Sequence, residues 1–396
     1  MRLSAKSPGR VRPSRTGGWL PALAIGLTVA LIGGLALAMP EVALSASLKG
    51  LAVWWDVLFP ALFPFFVLSE MLLGFGVVHL TGTLLDPLMR PLFRVPGSGG
   101  FVVAMGFASG YPVGARLTSR LMEEKLVDRE EGERLVAMTT SSDPIFLIGA
   151  VCIGFFGRAD IVPVLAAAHY GGAVLLGLLL RGRDAKRRTE PPAALTARRR
   201  GGRLREAIAA MHRARQADGR PFGLMLQQSL ESSLRLMVVV GGLVVFFSAA
   251  LELLLHSGLL EAMRALLGSL LHLAGLAPGL ADSLVRGTFE VTLGARAAAE
   301  GGGAESAWTG AAWTAAAMGS AGGTGASSPL PPLVDRVAAA AFVLSWGGLS
   351  VHAQVAGLMS RTSWRYGPFL RARLLHAFMA AAFVYLLWPL LGPASS

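Results

Sequence analysis

Long apolar runs separated by short polar segments are the main pattern of this chain. The first run covers residues 19–39. Eight more follow, at about 54–80, 100–118, 135–156, 161–180, 236–255, 280–299, 337–359 and 374–391. A helix needs about 20 apolar residues to cross a hydrocarbon core roughly 30 Å thick. The pattern therefore predicts an all-α protein with several membrane-spanning helices.

Two of these runs carry a similar interruption. Residues 106–116 read GFASGYPVGAR and residues 287–296 read GTFEVTLGAR, so their Gly-Ala-Arg triplets are 180 positions apart. Glycine and proline weaken a continuous helix, and non-helical backbone at membrane depth is tolerated only inside protein or beside a water-filled cavity. We predict that each interrupted run is a re-entrant helical hairpin and that the two hairpins are copies of one substrate-binding element.

The charge pattern agrees with this interpretation. The formal net charge is +12, and basic residues are concentrated in the N-terminal tail and in residues 181–220, which contain thirteen Arg or Lys and four acidic residues. Basic loops favour the cytoplasmic side. Both segments are cytoplasmic only if one of the five apolar runs between them does not cross, and 100–118 is the weakest helix among them. If run 280–299 does not cross the membrane either, the acidic stretch 300–335 lies outside the cell and residues 361–373 lie inside.

This topology gives two halves with the same order of elements, namely span, hairpin, span, span, entered from opposite sides. We therefore predict two inverted-topology repeats with broken helices, an architecture typical of secondary transporters. The predicted organisation is a basic cytoplasmic tail (1–18), a signal-anchor helix (19–39), a first repeat (51–180), a mobile basic cytoplasmic linker (181–234) and a second repeat (235–392) with an external loop (300–335). A short surface helix is expected near residues 308–318. Small residues at Ala36, Ala38 and Ala46 are compatible with cleavage by a signal peptidase after the first helix, which stays an alternative.

Composition narrows the classes of function. Hydrophobic residues make up 53% of the chain and the mean hydropathy is +0.57, as in a polytopic membrane protein. No stacking aromatics are interleaved with the basic clusters, so nucleic-acid binding is not expected. The one cysteine, Cys152, cannot form an intramolecular disulfide. No phosphate-binding loop, dinucleotide fingerprint or zinc-ligand spacing occurs. We therefore expect no cofactor, no metal and no enzymatic activity.

One enzymatic alternative is a serine-histidine protease inside the membrane. Ser109 and His169 offer a faint likeness to such a pair. The likeness fails at Phe107, because this position would have to be glycine.

Four polar patches lie inside the predicted membrane segments. They are the tip of the first hairpin (Ser109, Gly110, Tyr111, Pro112), the following span (Ser141, Ser142, Asp143), the second hairpin (Glu290, Thr292) and the SWGGLSVHAQ segment (Ser350, His352, Gln354). Polar groups at this depth are costly unless they line a cavity or pair with one another. We predict that the four patches form one substrate-binding site. Three alternatives stay open: the Ser109 to Pro112 stretch as a simple helix kink, Asp143 as a helix N-cap at the cytoplasmic interface, and Glu290 in a buried pair with an Arg or His.

Arg116 and Arg296 close the two hairpins, each just after Gly-Ala. If the hairpin tips meet at the centre, the two guanidinium groups can clamp an anionic substrate bidentately, together with helix N-termini. The alternative is that both side chains extend to lipid headgroups at the membrane interface.

Five stretches together resemble one known family. They are FPALFPFFVLSEMLLGFG, LMRPLFRVPGSGGFVVAMGFASGYPVGARL, TTSSDPIFLIGAV, GTFEVTLGA and SWGGLSVHAQVA, all within residues 54–359. They are similar to the YlbJ/SpoVV family of sporulation integral membrane proteins, which contain nucleoside-recognition (Gate) domains. The resemblance implies a multi-pass protein of the outer forespore membrane that transports dipicolinic acid from the mother cell during endospore formation.

The resemblance also implies which partners to expect. The substrate is a small anion, dipicolinate, which suits two arginines and helix N-termini. Membrane lipids are the other partners, and a homo-oligomer is left open. Alternatives are a non-transporting scaffold of the forespore membrane and a transporter of nucleosides or other organic anions. The driving force is also open: Asp143, Glu290 and His352 could carry protons, or the flux could be downhill.

Overall fold

The structure is a computed structural model that describes residues 19–181, 202–301 and 330–393. Within these ranges every regular element is helical. The α-helices are α1 Trp19–Ala38, α2 Pro40–Val53, α3 Phe59–Gly74, α4 Val77–Phe93, α5 Ser98–Ser109, α6 Tyr111–Glu123, α7 Arg129–Thr139, α8 Val162–Leu180, α9 Arg203–Asp218, α10 Phe222–His256, α11 Glu261–Leu273, α12 Leu280–Phe289, α13 Val291–Glu300, α14 Leu333–Trp346, α15 Gly348–Met359 and α16 Tyr366–Leu391. Two segments, Trp54–Leu58 and Ile145–Phe155, are π-helical, and Ala159–Ile161 is a 3₁₀ turn.

Several of these helices are long and apolar enough to cross a membrane. Four qualify in the described part of the chain: Ala159–Leu180, Phe222–His256, Leu333–Met359 and Tyr366–Leu391. Two bent pairs, α1 with α2 and α3 with α4, raise the number to as many as six. The lipid-facing character is visible in large apolar side chains left exposed, such as Val238 on α10 and Leu386 on α16. The prediction of an all-α membrane protein is confirmed.

The chain bends sharply just after the first predicted span and again inside the second. α1 and α2 meet at 107°, next to Pro40, and α3 and α4 meet at 83°. The second bend occurs at Gly76, whose φ of 76° is left-handed and where a Cβ would lie 2.8 Å from the Met211 carbonyl oxygen of α9. Glycine is needed at such a position. The expectation of one continuous helix over residues 54–80 is therefore wrong.

Both predicted hairpins are present as two helices joined by a single-residue break. α5 and α6 meet at Gly110, which has φ 83° and ψ −174°, and α12 and α13 meet at Glu290 in an extended conformation. A Cβ on Gly114 would lie 2.5 Å from the Thr139 Oγ1, and one on Gly294 would overlap the Cα of Gly287. The glycine of each Gly-Ala-Arg triplet is therefore a packing requirement of its hairpin.

The span that follows each hairpin is broken. α7 ends at Thr139 and the π-helical segment begins only at Ile145. α14 ends at Trp346 and α15 begins at Gly348, after Gly347 with a left-handed φ of 87°. The predicted continuous run 135–156 is thus two short helical pieces. The helix ends because Thr140, with a ψ of 86°, leaves the helical conformation, and Asp143 is disfavoured in that conformation because it precedes Pro144.

The order of elements is the same in the two halves. The first half consists of α3 and α4, the α5–α6 hairpin, α7 with its broken continuation, and α8. The second half consists of α10 and α11, the α12–α13 hairpin, the broken pair α14 and α15, and α16. Their inverted orientation relative to a membrane stays a prediction. The largest apolar cluster contains residues of both hairpins, including Tyr111, Ala115, Val291 and Ala295. The two halves therefore share one core, in which the hairpin tips lie.

The predicted mobile linker is in part a folded element. Within its described part, α9 packs against α4 with Ala207 fully buried, and α10 begins already at Phe222. This helix was not predicted, because the dense positive charge of the segment indicated a mobile linker. The α11 helix, which buries no residue completely, was also not predicted. The basic tail, residues 182–201 and the expected helix near 308–318 lie outside the described residues.

Candidate substrate-binding site

Four helix N-termini meet at one small cavity between the two halves, here called the central cavity. They belong to α6, the π-helical segment 145–155, α13 and α15. The central cavity is lined by Tyr111, Pro112, Asp143, Phe146, Glu290, Val291, Thr292, Ser350, Val351 and Gln354, and by the apolar residues Leu58, Leu62, Val240 and Val244. Seven of the fourteen predicted site residues are among these.

The hairpin tips and the helix breaks hold each other in place around this cavity. A Cβ on Gly110 would lie 3.1 Å from the Asp143 Oδ2, and one on Gly348 would lie 3.0 Å from the Phe289 carbonyl oxygen. Each tip therefore rests on the break of its own half. The Tyr111 hydroxyl donates across the halves to the Leu344 carbonyl at 2.8 Å. A movement of either break would consequently move the lining of the cavity.

The central cavity is small in this conformation. Its volume is about 40 Å³. A buried water needs roughly 10–15 Å³ of such volume, and sites for small organic molecules usually measure about 300–1,000 Å³. The described conformation is therefore closed, and an organic substrate requires movement of the surrounding helices.

Both carboxylates in the cavity cap helices. The Asp143 Oδ1 accepts from the Phe146 amide at 2.8 Å. The Glu290 Oε2 accepts from the Leu293 amide at 2.9 Å, and its Oε1 accepts from the Thr292 hydroxyl at 3.3 Å. Such caps satisfy free amides at the positive end of a helix. Asp143 is thus an N-cap, as one alternative held, but it is buried at the centre of the protein. Within the described residues no Arg, Lys or His forms an ion pair with Glu290.

The other two N-termini carry no side-chain cap. α6 follows Gly110 and α15 follows Gly347, and neither glycine can supply an acceptor. The Ser350 hydroxyl in the first turn of α15 is buried and has no hydrogen-bond partner among the described residues. Ser109, at the end of α5, has the same property but does not line the cavity. The α6 and α15 ends are therefore the places where an added acceptor would be bound.

Ser141 and Ser142 bind His169 and do not line the cavity. The Ser141 Oγ lies 2.8 Å from the His169 Nε2, and the Ser142 amide donates to the same nitrogen at 3.1 Å. Because an amide can only donate, Nε2 is the acceptor and the ring proton lies on Nδ1, which contacts the Ser345 Oγ at 2.8 Å. His169 thus joins the helix breaks of the two halves. Both ring nitrogens are used, so the Ser109–His169 pair of a protease is not formed.

A buried cation beside this network was missed in the sequence. Arg373 of α16 is fully buried and donates to the carbonyls of Ala137 and Ser345, at the C-terminal ends of α7 and α14. The His376 Nε2 lies 2.9 Å from the His169 carbonyl oxygen. A cation at a helix C-terminus is stabilised by the helix dipole. The sequence predicts residues 361–373 on the cytoplasmic side, and within this group Arg373 is buried inside the protein. The signal was the spacing of Arg373 and His376, which puts both on one face of an apolar helix.

The structure does not bring Arg116 and Arg296 together. Arg116 pairs with Glu70 of α3 at 2.7 Å and donates to the Ser232 Oγ of α10. Arg296 pairs with Glu300 at 2.7 Å. Neither side chain lines the central cavity, so the predicted clamp is not formed. Each hairpin helix starts at the cavity and runs away from it, which carries a residue one turn or more along the helix out of reach.

His352 also lies away from the cavity. Its ring packs on Trp346 at 4.2 Å between centroids, and its Nδ1 lies 2.9 Å from the Tyr366 hydroxyl. These contacts fix the start of α16 against α15. Gln354, two positions further along the same helix, does line the cavity.

A second, larger cavity lies beside the first and is called the vestibule here. It has a volume of about 400 Å³ between α2, α10, α12 and α13. Its charged and titratable lining residues are Lys49, Glu252, His256, Asp282, Arg286, Glu290, Arg296 and Glu300. Arg286 bridges Asp282 and Glu252 at 2.8 and 3.1 Å. Among the described residues, Glu290 alone lines both the vestibule and the central cavity.

Comparisons with known proteins identify relatives of the chain. A family profile described as nucleoside recognition (Gate) matches residues 56–161, which include the first hairpin and the first helix break. The sporulation integral membrane protein YlbJ of Bacillus subtilis is 40% identical over 356 residues, covering 88% of this chain and 78% of the relative. An uncharacterized protein of Alkalihalophilus pseudofirmus is 32% identical over 91 residues, covering 23% of this chain and 19% of that protein. No solved structure matches the chain at a significant level. With helices that can span a membrane and this extent of identity, the chain belongs to the YlbJ family of sporulation integral membrane proteins.

Proposed function

We propose that the protein is a secondary transporter of a small organic anion, dipicolinic acid, in the outer forespore membrane. The observation that carries the proposal is the meeting of four helix N-termini from two hairpins and two broken helices at one buried cavity. Transporter sites are commonly formed by such discontinuous helices near the bilayer midplane. The relative's name, sporulation integral membrane protein, supports the stage at which the protein acts.

The number of open N-termini suits a dianion. Each helix N-terminus has free amides and a partial positive charge of about half a unit, so it attracts carboxylates. Asp143 and Glu290 already occupy two of the four ends. The remaining two, at α6 and α15, follow glycines and lack a side-chain acceptor. Dipicolinate has two carboxylates on one flat ring, one for each open end, and the Ser350 hydroxyl would donate to the carboxylate at α15.

A nucleoside is the second candidate substrate. It is favoured by the description of the profile that matches residues 56–161. Nucleosides are uncharged, so two uncapped helix N-termini would leave free amides without an anionic partner. Hydrogen-bonding side chains such as Gln354 would then have to supply most of the recognition. The arrangement of the cavity therefore favours the anion.

The proposal is tested by measuring the dipicolinate content of spores. Sporulating cells that lack their own transporter would express the wild type, Ser350→Ala or Ser360→Ala. Ser360 is the matched control, because it lies just after the same helix but is exposed and bonds to the Gly357 carbonyl. We expect normal spores with the wild type and Ser360→Ala. Loss of one hydrogen bond to a charged group, worth about 1.5–3 kcal/mol, should lower filling by roughly tenfold or more in Ser350→Ala.

Membrane abundance of each variant would be checked by immunoblot. Normal filling with Ser350→Ala at normal abundance would contradict the placement of the substrate in the central cavity. Empty spores with the wild type would contradict transport of dipicolinate itself. Nucleoside uptake by the same cells would then decide for the second candidate.

A further inference from the structure

The Glu290 side chain forms the wall between the vestibule and the central cavity. It is only 2% exposed and lines both spaces. Its carboxylate is held at the N-terminus of α13 by the Leu293 amide and the Thr292 hydroxyl. Both partners are neutral, so they hold the side chain without cancelling its charge. A molecule that moves between the two spaces has to pass this carboxylate.

The neighbouring charges do not neutralise Glu290. The charged or titratable groups that line the two spaces with it are Lys49 on α2, Glu252 and His256 on α10, Asp282 and Arg286 on α12, Arg296 and Glu300 on α13 and, across the central cavity, Tyr111 and Asp143. Arg286 and Arg296 are already engaged by other carboxylates. Lys49 has no ion pair among the described residues and remains available in the vestibule to attract an anion.

An anionic substrate therefore meets a like charge at this wall. Two charges a few ångströms apart repel strongly in a site of low dielectric constant. The repulsion disappears if a proton binds to the carboxylate. A protonated Glu290 also loses most of its attraction to the positive end of α13, so its side chain can leave the α13 N-terminus to the passing anion.

We propose that Glu290 is a proton-controlled gate between the vestibule and the central cavity, so that one proton moves with each anion. This inference rests on the proposed transport function and adds its driving force. The proton comes from water in the vestibule, binds a Glu290 carboxylate oxygen and is released on the other side after the anion has passed.

The experiment uses the full-length protein in proteoliposomes with radiolabelled dipicolinate. Two quantities are measured: exchange of internal for external dipicolinate without a gradient, and accumulation driven by an inward proton gradient with the membrane potential held at zero. For one proton per anion, a gradient of one pH unit should drive about tenfold accumulation by the wild type. Glu290→Gln resembles the protonated side chain, since its amide oxygen still accepts from the Leu293 amide. Relative to its own exchange rate, this variant should lose the accumulation that the proton gradient drives.

Glu290→Asp and Glu261→Gln serve as comparison variants. Glu290→Asp keeps a titratable group and should keep accumulation. Glu261, on α11, is exposed and lines neither space, so Glu261→Gln should respond to the proton gradient as the wild type does. Folding of every variant is checked by its elution as one species in detergent. Equal accumulation by Glu290→Gln and the wild type would overturn the inference, as would a folded Glu290→Gln protein without exchange. Exchange by the wild type with no response to the gradient would also overturn it and leave the proposed function intact. No exchange by the wild type would contradict the proposed function instead.

Discussion

At the scale of the residue, Arg373 shows how a charge can serve structure deep inside a membrane protein. Its guanidinium faces backbone carbonyls at the ends of α7 and α14, one in each half. The planar group with several donors can reach both carbonyls at once, which the point charge of lysine cannot do as well. Because both carbonyls end helices next to a break, Arg373 helps to keep the two breaks at a fixed distance.

We predict that Arg373→Met destabilises the protein, since two buried carbonyls lose their donor at a cost of about 1–3 kcal/mol each. Arg371→Met, two positions away on the exposed face of α16, is the control and should have little effect. The measurement is the temperature at which each detergent-solubilised protein loses its monodisperse peak. A midpoint for Arg373→Met equal to that of Arg371→Met would show that the buried contacts contribute nothing to stability.

At the scale of the element, the two hairpins owe their close packing to glycine. Gly294 lies against Gly287 of the opposite arm and against Val343 of α14. Gly114 lies in the same manner against Gly106 and Thr139 of α7. The repeated Gly-Ala-Arg triplet thus has an explanation in packing that applies to both halves, whereas its arginine has different partners in each.

We predict that Gly294→Ala weakens the second hairpin. The added methyl group meets backbone, which cannot move aside as a side chain can, so the cost should be at least about 1–3 kcal/mol. Gly171→Ala is the matched control, because Gly171 lies in α8 with no atom near an added Cβ. Thermal midpoints in detergent and abundance in the membrane would be compared. The packing explanation would be wrong if the two variants behaved alike.

At the scale of the whole molecule, the order of elements agrees with two repeats, and their orientation is the open prediction. The predicted topology places the basic linker in the cytoplasm and residues 300–335 outside. The one cysteine, Cys152, is buried, which makes the chain suitable for labelling at introduced cysteines.

We predict that, in a Cys152→Ala background produced in the cell membrane of non-sporulating cells, Ser306→Cys reacts with a membrane-impermeant maleimide added to intact cells. Gln216→Cys should react only after permeabilisation. Residue 216 lies at the C-terminal end of α9, where the side chain is accessible to a reagent on its own side of the membrane. Labelling of Gln216→Cys in intact cells would contradict the inverted arrangement.

Much of the fold and part of the site could be predicted from the sequence, because they depend on local composition. Apolar runs predicted membrane helices, and glycine-rich interruptions predicted the hairpins. Polar patches inside the apolar runs predicted that Tyr111, Asp143 and Glu290 belong to one site. Charge density hid two features from prediction. The α9 helix packs through a narrow face, and Arg373, one arginine of a basic cluster, is buried. Local patterns report the cost of burying a group but not the partner that offsets it.

The sequence by itself determined that the chain is a helical membrane protein with two similar polar interruptions, since the cost of placing polar backbone in lipid acts on each segment separately. Only the tertiary structure decided which polar residues face one another. It turned Arg116, Arg296 and His352 away from the central cavity and joined the two breaks through His169 and Arg373. It also put Glu290 between two spaces. These contacts connect residues far apart in the chain, and their geometry follows from how the helices pack.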